Sequence, residues 1–331
     1  MLREYLKLSR SFNAALTGAA PVLGGIANGG YEIWHLFILF LIGFLGHSYG
    51  FALNDIIDLK IDQISKELSD RPLVSKNLSP TRAWIFTFTN LLGALVLAAA
   101  LAAYTNSYFP LIFLFISAGL ITLYDLISKK YPGMDIFVAT GVFALIIYGA
   151  MTISQDITLL AWIVCLLGSI QVLFMQLIAG GLKDIDHDSK AGANTLAIKL
   201  GVREHNKKLT IPPWFRALAY GIQGIDICVL FLPFILVFPP LSFFHYIQIL
   251  VLFLLCLLML WISKQLVNLK LFDRDTLRKY IGSHYLINYS LVPLMLMALT
   301  PWIGILVFLF PAGFILSNLA LHGTLLHPKT M

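Results

Sequence analysis

The sequence predicts an all-α, multispanning membrane bundle, and three observations carry that expectation: composition, the spacing of apolar runs and the sidedness of charge. Hydrophobic residues make up 59% of the 331 residues and charged residues 12%, whereas a soluble domain carries about 25% charged residues. Runs of about 20 apolar residues, long enough to cross the hydrocarbon core, recur near 11–30, 34–54, 83–104, 108–127, 135–152, 158–182, 217–238, 243–264, 280–299 and 301–320. Only Thr300-Pro301 separates the last two, so nine or ten transmembrane helices are expected. The N-terminal run lacks a small-residue cleavage site and is read as a first span, not a removed signal.

Charge sets the orientation. Arg3, Lys7 and Arg10 precede the first run, Lys60 to Arg82 follow the second, and Lys129 and Lys130 follow the fourth. The remaining Lys and Arg lie between Lys183 and Arg216, between Lys264 and Lys279, and at Lys329. With an even number of crossings all 23 fall on one face, which the positive-inside rule makes cytoplasmic. The net charge of +6 then reflects topology and contact with the lipid bilayer, and no nucleic-acid partner is needed to explain it. Cys165, Cys228 and Cys256 all sit in apolar runs without metal-ligand spacing and read as small hydrophobes.

Two acidic clusters sit where a membrane protein tolerates charge least. Asn54, Asp55, Asp58 and Asp62 close the second run, and Asp184, Asp186 and Asp188 close the sixth. Ionised groups at such depth are expensive, so a functional role is the default reading. On a helix Asn54, Asp58 and Asp62 share one face, as do Asp184 and Asp188, while Asp55 and Asp186 point elsewhere. Facing carboxylates suit magnesium, which takes few protein ligands and completes its shell with substrate phosphates. The pattern therefore points to a membrane enzyme that handles a diphosphate.

Asp58 and Asp188 lie 130 residues apart, each at the same end of an even-numbered run, with four runs per interval. A pseudo-repeat of four-helix units would bring the clusters face to face across a central cavity. No soluble domain interrupts the chain, and residues 1–331 read as a single integral membrane domain. Its longest polar stretches, 55–82 and 183–216, are the loops that carry the motifs, and long loops of this kind usually serve as lids or binding segments.

The first cluster and its sequel, Asn54-Asp55-x-x-Asp58-x-x-x-Asp62 followed by Asp70-Arg71-Pro72, resemble the signature of the UbiA superfamily of intramembrane prenyltransferases. Lys183-Asp184-x-x-x-Asp188 with its trailing Gly192-x-x-Thr195-Leu196 resembles that family's second motif, and Arg10-Ser-Phe-Asn13 is similar to its Arg-Pro-x-Asn without the proline. The family's Tyr-x-x-x-Lys is matched only loosely, because Tyr124 is followed by Lys129 and Lys130, one residue late. Nothing in the last third matches a motif.

The resemblance implies two Mg2+ ions held by Asn54, Asp55, Asp58, Asp62, Asp184 and Asp188, with Asp58, Asp62, Asp184, Asp188 and Arg71 as the catalytic set. Arg10, Asn13, Arg71, Tyr124, Lys129, Lys130 and Lys183 would bind substrate, the cations taking the phosphate oxygens. The implied reaction transfers a prenyl group from an isoprenoid diphosphate donor to a hydrophobic or aromatic acceptor. A cyclase or diphosphate hydrolase of the same superfamily, and a cation-coupled transporter, are the alternatives. His187 reads as a solvated loop residue, Asp226 as a partner of Gln223, and His284 with Asn288 as a face that could touch the acceptor.

Overall fold

Proline, glycine and polar caps divide the chain into rods. In the computed structural model, which describes residues 1–65 and 68–330, α1 (Leu2–Leu8) ends where Arg10 takes a left-handed backbone (φ 45°). The first apolar run then splits into α2 (Ser11–Thr17) and α3 (Ala19–Ala27). Pro21 explains the break, since its ring clashes with the carbonyl four residues earlier, that of Thr17. The next rods are α4 (Ile33–Ile57), the short α5 (Leu59–Asp62), α6 (Pro80–Thr105), α7 (Leu111–Ile127) and α8 (Asp135–Met151). Ser79 caps α6 through the Arg82 N–H, with Pro80 in the first turn where its missing N–H costs nothing.

The helix α9 (Leu159–Leu173) widens into a π-helical stretch, Phe174–Gly180, and continues as α10 (Gly181–Lys183). Then come α11 (Ile185–Lys190) and α12 (Leu196–Lys199). The main departure from an all-helical chain among the described residues is a hairpin of β1 (Arg203–His205) and β2 (Lys208–Thr210), antiparallel with Arg203 opposite Thr210, with one further bridge from Lys208 to Leu271. Asn206 and Lys207, both at positive φ, make its tight turn. Four rods complete the chain: α13 (Pro213–Leu236), α14 (Phe243–Val267), α15 (Arg274–Leu296) and α16 (Gly304–His322), the last entered by a 3-10 turn at Pro301–Ile303. Thr300-Pro301 thus separates two distinct helices that pack side by side.

Each predicted apolar run coincides with helix. Among the described residues six are long and apolar enough to cross a membrane: Ile33–Ile57, Pro80–Thr105, Leu159–Lys183, Pro213–Leu236, Phe243–Val267 and Pro301–His322. α7 and α8 are apolar but shorter. The helices close into a ring, α4 packing on α6 and α7, α7 on α8, α8 on α9, α9 on α13, α13 on α14, α14 on α15, α15 on α16, α16 on α2, and α2 back on α4. Crossing of α3 and α8 is close enough that a Cβ at Gly24 or Gly149 would collide with the opposing backbone carbonyl. The ring holds both acidic motifs at the same end.

Candidate active site

Helix phase delivers the first motif. Asn54 lies in the last turn of α4, Asp58 caps it, and α5 continues from Asp58 to Asp62, so all three side chains line one cavity. Asp55 points the other way, where its Oδ1 accepts from Arg10 Nη2 at 2.6 Å and lies 3.3 Å from Arg71 Nη1. Arg71 also grips Asp62 through the same nitrogen. The structure therefore puts Asp55 off the cavity, as the anion that holds two arginines, a different position from the metal ligand expected of it.

The second motif enters from the opposite wall. The π-helical stretch rotates the end of the α9–α10 run so that Met175, Gln176, Gly180, Lys183 and Asp184 all meet the cavity. Such widened turns cluster at functional sites. Lys183 Nζ donates to both Asp184 oxygens at 2.8 Å. Asp188 is buried behind Lys129, whose Nζ donates to it at 2.8 and 3.1 Å. Lys129 and Tyr124 line the cavity, whereas Lys130 is exposed and its carbonyl accepts from Asn194. That geometry separates the two lysines: Lys129 faces the cavity, and Lys130, also expected to bind substrate, lies outside it.

Charge in the site is unevenly answered. Burial works against the charged forms of Lys129 and Arg71, yet Asp188, Asp58 and Asp184 around the lysine, and Asp62, Asp55 and Asp184 around the arginine, hold both firmly protonated. For Asp184, burial is outweighed by Lys183, His187, Lys129 and Arg274, and its carboxyl lies well below the ordinary range. Asp58 differs. Burial, with Asp62 and Asp188 adding to it against Lys129 and Arg71, pushes its pKa up to about 6. Among the described residues no Lys or Arg comes within ion-pair distance of Asp58, and its hydrogen-bond donor is Asn54 Nδ2 at 3.4 Å.

That unanswered carboxylate is what fits a metal. No three His, Cys, Asp or Glu side chains among the described residues converge as a ready-made cage. Instead Asn54, Asp58, Asp62 and Asp184 share one wall-to-wall space. This suits magnesium, which binds through one or two carboxylates and the substrate's own phosphates.

Behind the charged mouth the cavity is mainly apolar, with a volume of about 210 Å³. On one side of α4, Tyr49 faces α7, its hydroxyl 2.6 Å from Thr122 Oγ1, and the lining continues through Leu91, Leu95, Leu114, Ile121 and Val138. On the other side His47 faces α2, 2.5 Å from Thr17 Oγ1, beside Arg10, Asn13 and the stacked pair Tyr285 and Tyr289. The Arg10 guanidinium lies 4.8 Å over the Phe51 ring.

Several further residues differ from their sequence-based roles or had none. His187 is buried, lines the cavity and hydrogen-bonds Asp186, because α11 folds it inward; it is not a solvated loop residue. His284 stacks on Phe174 and pairs with Gln223 outside the cavity, so the proposed acceptor face of His284 and Asn288 is packed into the helix interior. Gln223 turns to Ser263 and His284, leaving Asp226 to face Gln171. Asp125, next to Tyr124, went unread although an acid inside an apolar run was the signal; it lines the cavity and accepts from Asn54 Nδ2 at 3.2 Å.

With this geometry the relationship to known proteins can be placed. The profile of the UbiA prenyltransferase family matches residues 15–287. The chain belongs to that family. Membership makes it a prenyltransferase, and the long apolar helices make this UbiA-family enzyme an integral membrane protein. It is 29% identical over 209 residues, 60% of this chain and 69% of the relative, to the digeranylgeranylglyceryl phosphate synthase of Methanococcus aeolicus. It is also 30% identical over 178 residues, 53% of this chain and 60% of the relative, to the 4-hydroxybenzoate octaprenyltransferase of a Polaromonas species. The fold matches that of a UbiA homologue from Archaeoglobus fulgidus bound to GPP and Mg2+, with a TM-score of 0.64 at 17% identity, covering 90% of this chain and 99% of the other. A structure of a UbiA homologue from Aeropyrum pernix, solved without ligand, gives 0.65 at 15% identity over 88% and 97% of the two chains.

Proposed function

We propose that this UbiA-family enzyme, acting as a single domain, moves a prenyl group from an isoprenoid diphosphate to a lipophilic or aromatic acceptor and releases diphosphate. One observation carries the reading: both acidic motifs and the cations Arg71, Lys129 and Lys183 surround the mouth of a single cavity whose interior is apolar. The α4 wall from Asp58 to Ile42 runs about 24 Å at 1.5 Å per residue, deep enough for several isoprene units.

The allylic C1–O bond breaks with its electron pair going to the diphosphate, and the acceptor's nucleophile bonds to C1 and gives up a proton. Magnesium, as two ions in this reading, held by Asn54, Asp58, Asp62 and Asp184, with Asp188 behind Lys129, would supply Lewis-acid stabilisation of the leaving group. Arg71 presents a planar fork to phosphate oxygens, while Lys129 and Lys183 act as point charges. The apolar side toward α6, α7 and α8 keeps water from the allylic cation. The acceptor then enters from the Arg10, Asn13 and His47 side. Relatives named for a glyceryl phosphate product and for 4-hydroxybenzoate suggest an acceptor that carries an anion.

In this reading the chain crosses the bilayer nine or ten times as a pseudo-repeat, with the motif end in the cytoplasm, as the sidedness of Lys and Arg supports. The hydrogen bond from Arg3 Nη2 to the Leu321 carbonyl at 2.7 Å favours ten crossings, because the two chain ends then lie on one face. The test is incubation of purified protein and Mg2+ with prenyl diphosphates of graded length and a panel of acceptors, with products read by mass. Diphosphate release without acceptor consumption would favour a cyclase or hydrolase instead.

A further inference from the structure

Arg274 sits in the first turn of α15, within a stretch whose charges look like ordinary cytoplasmic basic residues. It is nevertheless the largest side chain among the described residues exposed by less than 2%. Nothing in α15 itself favours this. A cation at a helix N-terminus opposes the macrodipole, and burying a guanidinium is costly unless its donors are answered.

The answers come from both motif loops. Nη2 donates to the Lys183 carbonyl at 3.0 Å and to Asp186 Oδ1 at 2.8 Å, lies 3.0 Å from His187 Nδ1, and stands 3.8 Å from Asp184 Oδ1. Nη1 donates to Ser65 Oγ at 3.2 Å, three residues beyond Asp62. The Lys183 carbonyl is one of the open acceptors at the end of the α9–α10 run, where a cation is favourable. A single guanidinium therefore caps the helix that presents Lys183 and Asp184, neutralises the acid between Asp184 and Asp188, and ties this loop to the one that follows the first motif.

We propose that Arg274 is a positioning residue: it sets the register of the second acidic motif against the first, so that Asp184 and Asp188 meet the magnesium diphosphate in the correct geometry. The inference rests on the prenyl-transfer reading above. It also gives the C-terminal third, which carries no recognisable motif, a role in the site.

The test uses purified full-length protein in detergent, wild type against Arg274→Lys, Arg274→Gln and Asp186→Asn. One readout is the rise in thermal midpoint on adding Mg2+ with inorganic pyrophosphate; the other is the Mg2+ concentration at half-maximal activity, with Michaelis constants for donor and acceptor. Arg274→Lys keeps the charge but loses the fork, so the Mg2+ requirement and the donor constant should rise about tenfold, the acceptor constant should hold, and the ligand-induced midpoint rise should shrink. Asp186→Asn removes the same pair from its other end and should reproduce these changes, which keeps the test open if the arginine variants fail to fold. Lowered midpoints with an unchanged Mg2+ requirement and an unchanged ligand-induced rise would make Arg274 purely structural and overturn the proposal. A wild-type protein that shows no rise with Mg2+ and pyrophosphate would instead remove the prenyl-transfer reading itself.

Discussion

Asn54 Nδ2 lies 3.2 Å from Asp125 Oδ1, so an amide of the first acidic motif is held by a carboxylate from α7 that belongs to neither motif. The same amide nitrogen reaches Asp58 Oδ2 at 3.4 Å. With both contacts taken by its N–H group, the amide of Asn54 has a fixed sense, and its oxygen is free to face a metal.

Asp125→Asn replaces the carboxyl whose oxygen accepts from Asn54 with an amide that can turn either way. Partners behind metal ligands typically matter about 10- to 100-fold. The expected result is a fall of about tenfold in kcat/KM, with a higher Mg2+ concentration for half-maximal rate. Steady-state kinetics across a magnesium titration check this, and unchanged values would remove Asp125 from the site.

Lys129 and Lys130 are adjacent in sequence and opposite in environment. Lys129→Ala strips its half-buried partner from the buried Asp188, and breaking a buried pair from one side costs up to about 3–5 kcal/mol. Activity should be lost and thermal stability lowered. Lys130→Ala, at an exposed position, should change turnover by less than about twofold and stability by less than about 0.5 kcal/mol. A reversal of the two would mean that the loop after α7 is in a different register.

Much of this arrangement is legible in the sequence, and the limits have physical causes. The i, i+4 spacing of Asn54, Asp58 and Asp62 works because α5 resumes immediately after Asp58 ends α4, so the face is preserved. Apolar runs mark every long rod, but Pro21 breaks the first one more sharply than its hydropathy suggests. Register after α7 is a loop property, and periodicity does not distinguish Lys129 from Lys130. His187 and Arg274 are hidden for a different reason: their burial depends on each other across 87 residues of chain. Charge patterning assigns each of them to solvent when read alone. His284 failed in the opposite sense, its polar face being answered by Gln223 and not by a ligand.

Orientation has its own test. Tags inserted at Gly29 and at Gln155 should report the outside, and tags near Ser69, Lys190 and the C-terminus should report the cytoplasm. An outside C-terminus alone would mean nine crossings, with the contact between Arg3 and Leu321 made differently in the bilayer. A cytoplasmic Gly29 would invert the whole assignment.

The central claim is that the acidic mouth of the cavity drives prenyl transfer through magnesium. It is tested most directly by mass detection of the prenylated product from purified protein, donor and acceptor, with Mg2+, with a chelator, and with Asp58→Asn. Asp58 is the one acid of the two motifs that no lysine or arginine among the described residues answers, so its loss should lower turnover by about two orders of magnitude or more while the protein stays folded. The account expects product with Mg2+, none in chelator, recovery when the metal is restored, and almost none from Asp58→Asn. Full product formation in chelator, or an Asp58→Asn protein as active as wild type, would contradict it.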